Sequence, residues 1–323
     1  MRYTRREFGK LAMGTLPAAA LLNRPFRASA APRPDSVING VHVSTITYSY
    51  RSMPDQSAEA ILRYVVNSGI SEIEFMGGPV EAYAGAPQVF RVPFGTQPNA
   101  EQQAKLREAA QQMRAWRTSV SMDRFKALRK MFNDAGVTIY AWKQLAPEMS
   151  DAEVEYVFNV AEALGNTHTT LELVDDAAQL KRIGAFAEKH KVYAAYHTHL
   201  QGSMTAFDRA FAVSKYNRAN VDLGHYVAAG GDPIQFLDKF HDRVASFHLK
   251  DRQTPAHGAG NLAWGRGDTP IREILQLVKK NKWTMPATIE LEYEVPAGSD
   301  AVKEVVKCLD YCKQALAAST PTA

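Results

Sequence analysis

Short apolar runs recur along the chain, each followed by a stretch whose apolar positions fall at helical spacing. The runs are Val41–Thr47, Ile70–Phe75, Val137–Trp142, Thr167–Leu173, Val192–His197, Ala219–Leu223, Val244–Leu249 and Ala287–Leu291. Each is rich in β-branched or aromatic residues, the pattern of a buried strand. Helix signals occupy the gaps. Ser150-Asp151-Ala152-Glu153 has the form of a capping box, and Gly165 is placed to close that helix. Asp232-Pro233 and Thr269-Pro270 each put an N-cap ahead of a proline at the first helical position.

Strand-to-strand spacing is about 24 to 31 residues in five of the seven intervals. Eight strands alternating with helices over roughly 250 residues predict a single-domain (β/α)8 TIM barrel. The competitor is a doubly wound open sheet, which carries a glycine-rich dinucleotide turn after its first strand. Thr45-Ile46-Thr47-Tyr48-Ser49-Tyr50 stands at that point instead. The barrel is expected over residues 40–318, after a linker at 31–39 and before a tail at 319–323. The long second interval holds Gly77-Gly78-Pro79-Val80-Glu81-Ala82-Tyr83-Ala84-Gly85-Ala86-Pro87, read as a loop, and a polar helix around Ala100–Trp116. An insertion of this length serves either as a functional lid or as surface decoration.

Composition changes the picture once charge is located. The 323 residues are 46% apolar and 22% charged, ordinary globular values, with a formal net charge of +4. That surplus invites an acidic partner such as nucleic acid. Six basic residues (Arg2, Arg5, Arg6, Lys10, Arg24, Arg27) and one acidic residue (Glu7) lie within residues 1–30. Without them, 32 basic groups face 33 acidic ones, so the basicity belongs to the leader. Thr4-Arg5-Arg6-Glu7-Phe8-Gly9-Lys10 resembles the twin-arginine export consensus. A modestly apolar stretch, Leu11 to Leu22, follows, and Ala28-Ser29-Ala30 forms an A-x-A cleavage site. Leu16-Pro17-Ala18 contains no lipobox cysteine. The expectation is a signal peptide over 1–30, recognition by the twin-arginine translocation machinery, and a soluble periplasmic or secreted protein with no membrane attachment after cleavage. Cys308 and Cys312 lie at i and i+4 of a C-terminal helical pattern. A disulfide there would strain the helix, so they read as core-facing thiols.

Candidate chemistry concentrates at the C-terminal ends of the strands, which converge on one mouth in a barrel. Those ends carry Glu74, Lys143, Glu172, His197 with His199, Asp222 with His225, His248 with Lys250, and Glu290 with Glu292. Unpaired buried charge is costly, so ionisable groups on seven consecutive strands are hard to explain by packing. Carboxylates with imidazoles suit Mn²⁺, Mg²⁺ or Co²⁺, with Zn²⁺ left open. A divalent ion can hold adjacent sugar oxygens and polarise a carbonyl, and a flanking carboxylate can remove the neighbouring proton to give an enediolate. Isomerisation, epimerisation and elimination all begin this way. Glu74 is open between a site role and a structural ion pair with a Lys or Arg. His42, His168, His190, His241 and His257 read as ordinary surface or packing residues.

These segments resemble the xylose-isomerase-like TIM-barrel superfamily, the sugar phosphate isomerase/epimerase group. Val221-Asp222-Leu223-Gly224-His225 with Gly231-Asp232-Pro233 is similar to its D-x-G-H…G-x-D-P segment. Phe247-His248-Leu249-Lys250-Asp251 is similar to its H-x-K-D motif, and Tyr196-His197-Thr198-His199 to its H-N-H. Trp264-Gly265-Arg266-Gly267-Asp268 is similar to the G-x-G loop, and Ile289-Glu290-Leu291-Glu292 to the final strand. The resemblance covers about residues 40–315. It implies a divalent metal, Mn²⁺ foremost, bound by Asp222, His248 and Glu290. The epimerases' first glutamate is replaced here by His197, so the remaining ligand is Glu172, His197 or His199. Glu172 and Glu290 are the implied catalytic carboxylates; Lys143, His199, His225, Lys250 and Arg266 are the implied substrate contacts. The implied function is isomerisation, epimerisation, or lyase/hydratase chemistry on a sugar or keto-sugar, 3-keto-glycosides included.

Two rivals stand beside this. An apurinic-endonuclease-like phosphodiesterase shares the fold but needs an extra Asp-x-His where this chain has Ala259-Gly260-Asn261. The near-neutral mature chain also opposes nucleic-acid binding. A non-catalytic periplasmic sugar-binding barrel is the other. The expected partner is a small carbohydrate; a homo-oligomer is left open.

Overall fold

The eight expected runs form eight parallel strands in the computed structural model, which describes residues 33–92 and 97–317. They are β1 (Val41–Ile46), β2 (Glu72–Met76), β3 (Thr138–Lys143), β4 (His168–Glu172), β5 (Tyr193–His197), β6 (Asn217–Asp222), β7 (Val244–Leu249) and β8 (Ala287–Ile289). Pairing follows chain order from β1 to β8, and β8 pairs with β1, closing a (β/α)8 barrel. The twin-arginine motif, the cleavage site and the tail at 319–323 lie outside the described residues. Within the expected linker, Val37–Ile38 pairs antiparallel with the start of β1. No helix among the described residues is long and apolar enough to cross a membrane.

Local chemistry sets the helix ends. Both the N–H and the hydroxyl of Ser150 bond the Glu153 carboxylate (3.1 and 2.8 Å), and Gly165 ends that helix, Asp151–Leu164, at φ 74°. Asp232 caps Pro233–Phe240 through the N–H groups of Ile234 and Gln235. Thr269 departs from its expected cap role. The helix between β7 and β8 starts at Ile271 with Pro270 before it, and the Thr269 hydroxyl accepts from the Arg252 N–H instead (3.0 Å). The second interval also differs from its reading as a loop. Residues Gly77–Ala84 form a helix directly after β2, ended by Gly85 at φ 94°. The polar helix follows at Ala100–Arg117 and buries only Ala109 and Met113. It is held by charge: Arg117 bonds Glu81 (2.8 Å) and Glu153 (3.2 Å), both carboxylates buried. Cys308 and Cys312 are buried free thiols.

The strands divide their side chains by alternation. Apolar members meet the helices, as where Phe75 of β2 packs on Phe132 at 5.1 Å. The opposite side faces the barrel axis and is unusually polar for a barrel, where branched apolar chains usually dominate. Ser44, Tyr140 and Thr288 hydrogen-bond mutually at 2.7–3.2 Å. Above them lie Glu74, His168, Thr170, Asn220, Ser246 and His248, all buried. Two register shifts interrupt the ladders, one between Ile73 and Glu74 against β3, the other between Ala219 and Asn220 against β7. Bulges of this kind re-aim side chains beside functional sites.

Candidate metal and catalytic site

Lys143, Glu172, His197 and Asp222 are the last residues of β3 to β6; Lys250 and Glu290 directly follow β7 and β8. Four of the expected ligands come together. His197, Asp222, His248 and Glu290 are buried, and each offers a donor atom within 4.8 Å of the others.

The charge state of each follows from its surroundings. His197 Nδ1–H donates to Asn220 Oδ1 (2.9 Å), which leaves Nε2 with its lone pair. Burial, with Lys143 and His248 nearby, pulls its pKa down to about 3, so the ring is neutral. His248 lies between Glu290 Oε2 (3.0 Å from Nδ1) and Glu74 Oε2 (2.8 Å from Nε2). Burial opposes its charge, but Glu290 and Glu74 outweigh it and raise the ring to about 10. Asp222 Oδ1 accepts from the His225 N–H (2.8 Å) and caps the helix Leu223–Ala228. Burial lifts its carboxyl to about 6, with Lys250 opposing and Glu290 adding.

Lys250 tests whether this pocket suits a cation. Its buried ammonium lies 2.8 Å from Asp222 Oδ2, 2.8 Å from Glu290 Oε2 and 2.6 Å from Glu292 Oε2. Burial works against the charge, yet the three carboxylates hold the pKa above the ordinary lysine value. Asp222 Oδ2 is buried and lacks an aligned hydrogen-bond donor even so. Converging carboxylates, a buried carboxylate oxygen with no aligned hydrogen bond and a neutral imidazole nitrogen form a mixed oxygen–nitrogen donor set that fits Mn²⁺, Co²⁺ or Zn²⁺.

Glu172 is not part of this quartet. On β4, Thr170 occupies the inner layer, and Glu172, two residues on and facing the same way, reaches the rim. Its half-exposed carboxylate bonds Lys143 and His199, each at 2.9 Å. Burial disfavours that charge, but His199 and Lys143 hold the carboxyl below its usual range. With His197 and His199 it forms a second, more open ligand-capable group. Four imidazoles lie in contact as a chain: His248 to His197 at 4.7 Å, His197 to His199 at 5.1 Å, His199 to His225 at 4.9 Å. Burial, Lys250 and Arg252 push His225 down to about 2, a neutral ring. Arg266 is exposed, and its backbone N–H donates to Asp251 Oδ2 (3.0 Å) alongside those of Gly265 and Gly267. The G-x-G loop is thus wrapped around Asp251, and the Arg266 side chain joins no contact of the cluster among the described residues.

Glu74 is the residue whose place the sequence left undecided. The signal was its position: an ionisable residue one step from Phe75, on the axis side of a buried strand. Its partner is His248, rather than a lysine or arginine. Gly224 also has a defined part. A Cβ there would press on the Lys250 side chain and lie 2.7 Å from the Lys250 carbonyl oxygen. Ala259 and Gly260 lead into a two-stranded ribbon in which Asn261 pairs with Arg252, and the segment holds no Asp or His. A cavity of about 600 Å³ opens at the opposite barrel end, between His42, Thr138, Tyr193 and Trp283, away from this chemistry.

Comparison with known proteins agrees with this architecture. The model of the xylose isomerase-like TIM barrel family matches residues 80–312. The chain is 23% identical over 167 residues to an inosose dehydratase of Clostridium tetani, covering 45% of this chain and 55% of that protein. It therefore spans about half the length of the curated relatives it matches. It is similar in fold to the probable 3-DHS dehydratase AsbF of Bacillus anthracis, with a TM-score of 0.59, 14% identity, and coverage of 84% and 98% of the two chains. It is also similar to the IolI protein solved with a bound zinc atom, with a TM-score of 0.57, 13% identity and coverage of 85% and 98%. A closed eight-stranded parallel barrel, matched over most of its length, belongs to the xylose isomerase-like TIM barrel family.

Proposed function

We propose that this protein is a divalent-metal-dependent enzyme that removes the proton next to a carbonyl of a sugar or keto-sugar, as an isomerase, epimerase or lyase/hydratase. The observation that carries the proposal is the buried quartet of His197, Asp222, His248 and Glu290 at the mouth of the barrel. The similarity to an inosose dehydratase supports the substrate class. His197 Nε2, Asp222, His248 and Glu290 would hold the ion. When bound, the ion supplies Lewis acidity to a carbonyl and its neighbouring hydroxyl.

The chain's own residues supply the proton transfer. Glu172 stands ionised at the rim, open to a sugar in the mouth, and takes the proton. His199 is bonded to Glu172, whose carboxylate raises its pKa despite partial burial, and it returns the proton to carbon or to a departing hydroxyl. Lys143, 2.9 Å from Glu172, keeps that carboxylate in position. Glu290 is tied to His248 and Lys250, so it serves as a ligand in this scheme rather than as the base.

Chelation is the direct test. Turnover of inososes, keto-sugars or 3-keto-glycosides should fall to background in protein stripped of metal, and Mn²⁺, Co²⁺ or Zn²⁺ should restore it. Full turnover by protein shown metal-free by elemental analysis would refute the proposal. We also propose export by the twin-arginine route to the periplasm. Changing Arg5→Lys and Arg6→Lys together should leave the full-length precursor in the cytoplasm, and unchanged periplasmic recovery would count against it.

A further inference from the structure

We infer that Glu74 and Asn220 are positioning residues, which together fix the ring orientation and proton position of both imidazole ligands, His248 and His197. The inference rests on the reading of the buried quartet as a metal site. Glu74 Oε2 accepts from His248 Nε2–H at 2.8 Å, so the Nδ1 edge of that ring is the one turned toward Glu290. Glu74 is itself anchored, its Oε1 accepting from the Thr170 hydroxyl at 2.6 Å. A carboxylate behind a ligating imidazole fixes the ring and raises its basicity as a donor.

Asn220 does the same for His197, and Glu74 decides how. An ionised carboxylate only accepts hydrogen bonds, so the Asn220 group facing Glu74 Oε2 at 3.4 Å is the amide Nδ2. That nitrogen also donates to Ser246 Oγ at 2.7 Å. The amide oxygen is thereby turned to His197, where it accepts from Nδ1–H at 2.9 Å. His197 is left with its lone pair on Nε2. The frame continues through Ser246 to His168 Nε2 (2.9 Å) and from His168 Nδ1 to Thr167 (2.8 Å). Every member named here except the exposed Thr167 is buried, and each meets a partner.

A second, independent observation is in the backbone. The two register shifts in the barrel ladders fall at Ile73/Glu74 and Ala219/Asn220. In each shift the unpaired extra residue is on the neighbouring strand, Tyr140 opposite Ile73/Glu74 and Ala245 opposite Ala219/Asn220, so the pairing is irregular beside both residues that reach the imidazoles.

The test is metal affinity, measured on purified protein by competition with a chromophoric chelator for Co²⁺ and Zn²⁺, with the Co²⁺ visible spectrum as a second readout. E74Q and N220A should each weaken binding about 10- to 100-fold and alter the Co²⁺ spectrum. E72Q, on the same strand but paired with His42 at the other end, should leave both unchanged. A purely structural role for Glu74 and Asn220 would lower thermal stability while leaving affinity and spectrum as in wild type, and that result overturns the inference. If E74Q does not fold, N220A decides it alone. Failure of the wild-type protein to bind any of these ions overturns the metal-site reading instead, so the two failures are distinguishable.

Discussion

Asp222→Asn should lower kcat/KM by about 10³-fold, a loss of roughly 4 kcal/mol of transition-state stabilisation, with the fold intact. The two roles of Asp222 separate in this variant. Its Oδ1 caps the helix Leu223–Ala228, and an asparagine side chain caps as well as an aspartate. Its Oδ2 points into the quartet as a buried acceptor, and there an amide withdraws a negative charge from the ion. The variant should show wild-type circular dichroism and a melting temperature close to wild type, with most of its bound metal lost by elemental analysis. Wild-type turnover with a wild-type metal content would remove Asp222 from the site.

Lys250→Met should have the second-largest effect, on stability. Lys250 Nζ is the cation shared by Asp222, Glu290 and Glu292. Removing one partner of a buried ion pair commonly costs about 3–5 kcal/mol, because the opposing charges stay buried. For a barrel of this size that corresponds to a fall of roughly 6–15 °C in the melting temperature of metal-free protein. The pH dependence has a definite sign. Without the ammonium, the crowded carboxyls titrate higher in the folded than in the unfolded chain. The folded state then binds more protons, and stability falls as pH rises. The deficit relative to wild type should therefore be larger at pH 8 than at pH 5. Added divalent metal should stabilise the variant more than it stabilises wild type. A melting temperature unchanged at pH 8 would show that the three carboxylates do not depend on Lys250.

The barrel was readable because parallel strands buried on both sides write themselves as apolar runs, and all eight lie within two residues of their expected ends. The mouth was readable because strand ends converge by geometry, which carried His197, Asp222, His248 and Glu290 to one point. What stayed hidden depends on contacts across the axis. Glu74 on β2 meets His248 on β7, strands that do not pair, and no local pattern announces that neighbour. His168 looked like a packing residue and is buried, but its bond to Ser246 of β7 is likewise non-local. Glu172 is one of three candidates the sequence offers for the remaining ligand, with His197 and His199, and His197 is the one that joins the quartet. One layer of side chains, set by Thr170 beneath it, puts Glu172 at the rim instead. Arg266 lies in a motif whose observed work is done by backbone N–H groups, something residue identity alone does not reveal.

Gly224 carries a lesson about inheritance. It leaves room for the stem and backbone of Lys250, which belongs to the neighbouring strand's motif. A side chain at 224 is tolerable only if the backbone at 250 withdraws as well as the lysine stem, and that movement takes the ammonium away from Asp222, Glu290 and Glu292. The D-x-G-H and H-x-K-D segments are therefore one unit of variation written in two places. Lineages drifting at one should drift at the other, and any score that counts the two motifs as separate witnesses counts a single constraint twice.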